Sequence, residues 1–350
     1  MGFLDPIRGL VWARRRQPDQ VRYYVELAHE RFPPDDLLRQ AVEAENAGFD
    51  GITCSDHTAP WWEPGHPAPA ACGNAWVWLG AAGQATSRVP IGSGVTSVLH
   101  RYNPLVVAQQ VATLEAMCPG RAFLGVGSGE AMNEVPAGMD YPDRAEQLQR
   151  TEEALTIVKR LLDGETVTFD GEFFRAKQAR LYTVPARRPP IYMSAFYERA
   201  AEVAGRLADG IWTLGDPQQA PKVIQAYRRG CEQAGREPGE VIVQAVFSYA
   251  EDDDTALASS REWKGTLVDA AYTQSIADPA EIYRRAEREV SDKQFKAQVI
   301  VSSDPKTHVK RIKTIQALGA TIVVLMNVSG ADPHRALEVY GKHVLPELRG

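Results

Sequence analysis

The chain has little of what would place it in several common classes of protein. Its 350 residues include only four cysteines, scattered without a CxxC pair or metal-type spacing, so neither a disulfide framework nor a metal site is expected. No apolar run reaches the roughly 20 residues of a membrane helix. A net charge of −6 offers no basic field for nucleic acid. We therefore expect a cytoplasmic protein that binds neither nucleic acid nor a membrane.

A basic segment opens the chain. Arg14, Arg15 and Arg16 are similar to the start of a twin-arginine export signal, but such a signal needs an apolar stretch next, and residues 17–20 are polar. We interpret residues 1–20 as a basic extension, with a single domain over 21–350.

The remainder alternates short β-branched runs with amphipathic stretches. The pattern predicts strands at residues 21–28, 51–55, 89–95, 122–127, 190–195, 210–213, 241–249 and 321–326. It predicts helices at residues 35–48, 103–117, 144–162, 305–318 and 333–348. Such alternation favours a (β/α)₈ TIM barrel. A doubly wound open sheet is the alternative, but no glycine-rich phosphate loop follows the first strand.

Two segments interrupt the alternation. Near residues 166–189, alternating residues flank Asp170-Gly171, which is a hairpin signal. Residues 251–302 are polar and highly charged for most of their length. We interpret both segments as insertions in the barrel.

Three side chains with useful chemistry follow predicted strands. In a parallel barrel these strand ends share one mouth, which would bring His57, Trp61 and Glu130 together. An imidazole, with an ordinary pKa near 6.5, can accept a proton at neutral pH. Asp56 could orient His57, although neighbours on a strand point opposite ways. An isolated histidine at this position would more often have a structural role. The presence of Trp61 and Glu130 at matching strand ends favours a catalytic role for His57.

The surroundings of these residues have simpler alternatives. A tryptophan such as Trp61 can exclude water or stack on a flat ligand, whereas for Trp62 we prefer a role in the core. Gly127 and Gly129, two of three alternating glycines before Glu130, let the backbone approach a ligand closely, or else form only a tight turn.

At these positions the chain resembles the luciferase-like hydride transferases that use coenzyme F420, an 8-hydroxy-5-deazaflavin, and among them the F420-dependent glucose-6-phosphate dehydrogenases. The resemblance covers nearly the whole chain from about Tyr23 onward. Its motifs include Glu30-Arg31-Phe32, Ser55-Asp56-His57, Pro60-Trp61, Arg101-Tyr102-Asn103-Pro104 and the run FLGVGSGEAMNE at 123–134.

The resemblance implies roles for individual residues. His57 corresponds to the base that takes the C1 hydroxyl proton, Trp61 to a residue stabilising that transition state, Glu130 to the proton donor for the cofactor ring, and Glu30 to an acid near the substrate. A non-proline cis peptide is implied at Gly94-Val95. Cofactor contacts are implied for Asp56, Val95, Ser97 and Asn133, and a homodimer is implied as the assembly.

Two departures from the family pattern bear on ligands. Its phosphate-binding lysines and arginine correspond here to Asp216 or Pro217, Thr273 and Gln298. Glucose 6-phosphate is therefore expected to be a poor substrate, unless another lysine of the insertion (Lys264, Lys293 or Lys296) reaches the site. The run Ala195-Phe196-Tyr197 replaces the usual Ala-Gly-Gly beside the cofactor phosphate, which its main-chain amides could still bind.

The favoured function is therefore an F420-dependent dehydrogenase of a sugar or other alcohol. Three alternatives stay open. The enzyme could run in reverse, as an F420H2-dependent reductase of a small carbonyl, imine or enone. It could be an FMN-dependent luciferase-like monooxygenase. It could also be a barrel that binds a small molecule without converting it.

Overall fold

The computed structural model describes residues 20–350, which form a closed barrel of eight parallel strands surrounded by helices. The strands are β1 (Arg22–Leu27), β2 (Gly51–Cys54), β3 (Ile91–Ser93), β4 (Thr96–Ser97), β5 (Ala122–Gly127), β6 (Val167–Asp170), β7 (Arg175–Ala179), β8 (Ile191–Ser194), β9 (Gly210–Leu214), β10 (Glu240–Ser248), β11 (Ile300–Val301) and β12 (Ile322–Asn327). The ring closes in the order β1-β2-β3-β5-β8-β9-β10-β12 and back to β1. The predicted TIM barrel is confirmed.

The helices follow the strands as the pattern predicts, with additions. They are α1 (Pro34–Ala47), α2 (Ala75–Ala85), α3 (Pro104–Met117), α4 (Ala131–Glu134), α5 (Arg144–Leu162), α6 (Glu198–Leu207), α7 (Ala220–Gln233), α8 (Asp253–Ala258), α9 (Ala270–Thr273), α10 (Pro279–Glu289), α11 (Asp292–Gln298), α12 (Pro305–Gln316), α13 (Pro333–Val339) and α14 (Leu345–Arg349). Short 3₁₀ turns lie at Val135–Ala137 and Arg261–Leu267. A π-helical turn at Tyr340–Val344 divides the predicted helix 333–348.

Large side chains fill the amino-terminal half of the barrel interior. Because side chains on a strand alternate in direction, every second residue points inward. The inward cluster includes Tyr24, Phe123, Tyr192, Trp212 and Ile242, all buried. The amino-terminal half of the barrel is thus filled by side chains, and the candidate site can only form at the carboxyl ends of the strands.

The third predicted strand is not continuous, which corrects the expectation for residues 89–95. The cis peptide Gly94-Val95 separates β3 from β4. This cis bond, implied by the family resemblance, is present. Both short strands pair with β5, so the ring stays closed across the break.

The insertions carry their own structure. Strands β6 and β7 form the predicted antiparallel hairpin. The polar stretch 251–302 folds into α8 to α11 and β11, and its Trp263 packs edge-on against Trp62, with ring centroids 5.4 Å apart. Trp62 thus lies in the core, as expected.

The structure does not test two of the expectations from the sequence. The basic extension, residues 1–20, lies outside the described residues except for Gln20, and the division into domains stays a prediction. All four cysteines lie within the described range and are free. Within residues 20–350 no helix is long and apolar enough to span a bilayer.

Candidate active site

The predicted catalytic side chains meet at the carboxyl ends of β1, β2 and β5. His57 follows β2, Glu30 follows β1 and Glu130 follows β5. His57 Nε2 lies 3.6 Å from Glu30 Oε1 and 3.8 Å from Glu130 Oε2. The imidazole of His57 therefore lies between two carboxyl groups.

Asn133 holds this arrangement in place. Its Oδ1 accepts hydrogen bonds from Thr58 N at 2.8 Å, Thr58 Oγ1 at 3.1 Å and Ala59 N at 3.3 Å. These donors fix which end of the amide is oxygen. The amide nitrogen then donates to Glu130 Oε2 at 3.0 Å and lies 3.2 Å from His57 Nδ1. The sequence assigned Asn133 only a cofactor contact, whereas here its side chain contacts both Glu130 and His57.

Glu30 is held from the opposite side. It is 1% exposed, and its Oε2 accepts a short hydrogen bond from the Ser55 hydroxyl. Ser55 Oγ in turn accepts from His29 N at 3.1 Å. The second carboxyl oxygen, Oε1, is the one near His57, so the hydrogen bond from Ser55 holds Glu30 in a fixed orientation toward the imidazole.

Asp56 does not orient His57. Its carboxylate accepts from Thr96 Oγ1 at 2.8 Å and from the Tyr102 hydroxyl at 3.4 Å, and it pairs with Arg101 Nη1 at 3.3 Å. Adjacent residues on the strand end do point opposite ways. Asp56 therefore braces the neighbouring loop, and the idea that it orients His57 is not supported.

Aromatic rings close one side of the site. The Trp61 ring lies 5.4 Å from His57 and 5.7 Å from Tyr272, and Phe196 meets Tyr272 edge-on at 6.2 Å. Burial raises the pKa of Tyr272 well above its ordinary value, so the hydroxyl stays protonated and donates to Thr266 O at 3.0 Å. The sequence analysis did not identify Tyr272, although it adjoins Thr273 in the polar insertion.

Glycines line the floor beside this cluster. A Cβ on Gly94 would lie 2.6 Å from Thr53 Oγ1, a buried hydroxyl without a hydrogen-bond partner, and a Cβ on Gly127 would lie 2.7 Å from Val95 Cγ2. Gly129 has φ +63° and packs against Ser97. Only glycine keeps this floor low, and a low floor of backbone fits a flat ring such as a deazaflavin.

The run after β8 lies at the edge of the same mouth. Ala195 is buried, Phe196 is partly buried and Tyr197 is exposed, immediately before α6. The Tyr197 hydroxyl accepts from Arg144 Nη2 at 2.7 Å, and the guanidinium lies 4.1 Å from the tyrosine ring centroid. The cofactor-phosphate contact expected from these main-chain amides stays a prediction.

A closed barrel with a histidine between two carboxylates at its mouth is characteristic of a (β/α)₈ enzyme that moves protons. The model of the luciferase-like monooxygenase family matches residues 7–321, and the chain belongs to this family. The membership predicted from the motifs is confirmed.

Relatives within the family are similar over nearly their whole length. The chain is 40% identical over 334 residues to an F420-dependent glucose-6-phosphate dehydrogenase of Microbacterium testaceum, covering 94% of this chain and 98% of the relative. A protein of the same name from Nakamurella multipartita is 38% identical over 339 residues, covering 95% and 98%. A solved F420-dependent secondary alcohol dehydrogenase, in complex with an F420-acetone adduct, has a TM-score of 0.89 at 32% identity, covering 95% of this chain and 100% of that one.

Proposed function

We propose that this protein oxidises the CH–OH group of an alcohol or a sugar without a 6-phosphate, transferring the hydride to C5 of coenzyme F420. The F420-dependent relatives support the cofactor and the reaction class. The observation that carries the proposal is His57 Nε2 facing Glu30 and Glu130, next to the floor at Gly94 and Gly127.

The protein's own groups account for the proton movements. Bound F420 supplies the carbon that accepts the hydride. His57 takes the hydroxyl proton of the substrate, and the carboxylate of Glu30 stabilises the charge that the ring acquires. Glu130 supplies the proton for the ring nitrogen of the cofactor. Trp61 and Tyr272 keep water from the reacting atoms.

The contacts around the site favour a substrate without phosphate. Asp216 accepts hydrogen bonds from Gln218 N and Gln219 N, and Thr273 Oγ1 donates to Asp269 O, so neither position offers a cation. Lys264 is paired with Asp292 at 3.0 Å. A dianion held at these positions would lack the cations that it needs.

The direct test is a substrate screen with purified enzyme and oxidised F420, monitored by loss of cofactor absorbance under air. We expect turnover with neutral alcohols or sugars, and a kcat/KM for glucose 6-phosphate at least about tenfold lower, because one missing charge-assisted contact costs more than about 1.4 kcal/mol. A parallel arm supplies FMN and measures oxygen uptake. Oxygen uptake without F420 reduction would overturn the proposal in favour of a monooxygenase. Turnover seen only with F420H2 and a carbonyl substrate would show that the enzyme is a reductase, working in the opposite direction to the one proposed.

The proposal includes a cytoplasmic homodimer formed through α2 and α3. Helix α2 carries no charged residue, yet Val77 is 76% exposed, and Leu105, Val106 and Met117 of α3 are exposed as well. Apolar helices normally have buried surfaces. Because α2 has no charged residue to repel its own copy, a second copy related by a two-fold axis is the partner that fits this face.

Val77→Glu is expected to convert the dimer to a monomer, measured by light scattering during size-exclusion chromatography. The two-fold axis places the new carboxylate in the interface twice, which should weaken association at least about tenfold. Tyr182→Glu is the matched control, since Tyr182 is 89% exposed outside this face. A wild-type monomer, or a dimer unaffected by Val77→Glu, would contradict this assignment.

A further inference from the structure

Three apolar side chains face the mouth of the barrel from neighbouring strands. Trp212 of β9 and Ile242 of β10 belong to the inward cluster, so the inward alternation continues to Leu214 and, through Gln244, to Val246. Met326 of β12 pairs in register with Val246. Leu214 is 43% exposed although it points into the barrel. We call Leu214, Val246 and Met326 the apolar wall.

The apolar wall lies across the barrel from the glycine floor. In the closed ring, β10 is four strands from β3 in either direction. Val246 therefore faces Gly94-Val95 across the mouth, with His57 and Glu30 on the strands between. A substrate whose hydroxyl reaches His57 beside the floor must direct its remaining groups toward the wall.

The polar groups beneath the wall are already paired with one another. Trp212 Nε1 donates to Gln244 Oε1 at 2.8 Å, and Gln244 Nε2 donates to Glu26 Oε2 at 2.6 Å. Burial, with repulsion from Glu30, raises the pKa of Glu26 well above its ordinary value, so this carboxyl group is neutral. Neither a charged substituent nor a set of sugar hydroxyls finds matching partners on this side of the site.

We propose that Leu214 and Val246 determine the specificity of this site, by selecting uncharged secondary alcohols with apolar substituents over sugars and charged substrates. The proposal rests on the proposed F420-dependent oxidation. The alcohol gives its hydroxyl proton to His57 and its carbinol hydride to oxidised F420, and it leaves as the ketone, so that atoms and electrons balance.

The test compares 2-alkanols of increasing length with glucose and glucose 6-phosphate as donors to F420. Each methylene buried against the wall should raise kcat/KM about fourfold until the wall is covered. Leu214→Lys is the chosen variant, because Leu214 is partly exposed and can accept a lysine without disrupting the core. It should lower kcat/KM for 2-hexanol at least about tenfold, because it places a charge beside the alkyl chain. Val184→Lys, on a distant exposed loop, is the control and should change little.

A second readout needs no cofactor. Saturation-transfer NMR with cyclohexanol should detect binding to the wild-type protein, and Leu214→Lys should abolish it. If glucose reduces F420 faster than every 2-alkanol, the apolar wall does not set specificity while the F420 function stands. If cyclohexanol binds at the wall but no alcohol or sugar reduces F420, the proposed oxidation fails and the wall remains a binding site. Equal kcat/KM values along the alkanol series would overturn the proposal that the apolar wall determines specificity.

Discussion

Replacing His57 by alanine should lower kcat by about 10²–10⁴-fold, the range that a positioned general base contributes. The imidazole is the only group besides the carboxylates Glu30 and Glu130 that the described site places where it can take a hydroxyl proton. Affinity for F420 should change little, because the floor at Gly94 and Gly127 is built from backbone. Single-turnover kinetics would measure the first quantity, and fluorescence titration of the cofactor the second.

His66→Ala is the matched control for this experiment. His66 lies on the same loop, but its ring packs against Tyr283 with centroids 5.0 Å apart, and its Nδ1 accepts from Ala68 N. Its removal should leave kcat within about threefold, since it supplies no proton to the site. If His57→Ala retains full turnover, Glu30 or Glu130 must be the base and the mechanism given above is wrong. A loss of both turnover and F420 affinity would instead assign His57 to binding.

The sequence predicted the regular elements best where a local signal marks their ends. Helix α5 begins and ends at the predicted residues, and Asp143 fixes its start by accepting hydrogen bonds from Ala145 N and Glu146 N. Helix α2 was missed, since it is apolar all round and contains two glycines. Asn74, which accepts from Val77 N, was the one local signal for its start.

For the site, sequence analysis could find residues that follow strands, and no others. His57, Glu30 and Glu130 converge because parallel strands end on one side of the barrel. Tyr272 and the apolar wall could not be found in this way. Tyr272 reaches the site through the fold of the insertion, and the wall depends on which strands lie opposite each other in the closed ring. Their positions follow from tertiary structure, which the local sequence pattern does not reveal.

Removing one partner of the buried Arg31–Glu262 ion pair should destabilise the protein by about 3–5 kcal/mol. Arg31 follows Glu30 after β1, and Glu262 lies in the insertion that covers the mouth. The ion pair therefore joins the end of β1 to the insertion. Both side chains are buried, and Arg31 Nη2 also donates to Gly330 O at 3.4 Å. Burial lowers the pKa of Arg31 to about 10, so it remains charged at neutral pH and needs its partner.

Glu262→Gln or Arg31→Met should therefore lower the midpoint of urea unfolding, whereas Asp170→Asn, in an exposed pair with Arg175 on the hairpin, should change stability by less than about 1 kcal/mol. The double variant Arg31→Met/Glu262→Met should recover most of the loss, since it leaves no buried charge unpaired. If both single variants unfold like the wild type, the insertion is not held by this pair. Because Arg31 adjoins Glu30, single variants that fold should also lose turnover, and the double variant should regain stability more fully than activity.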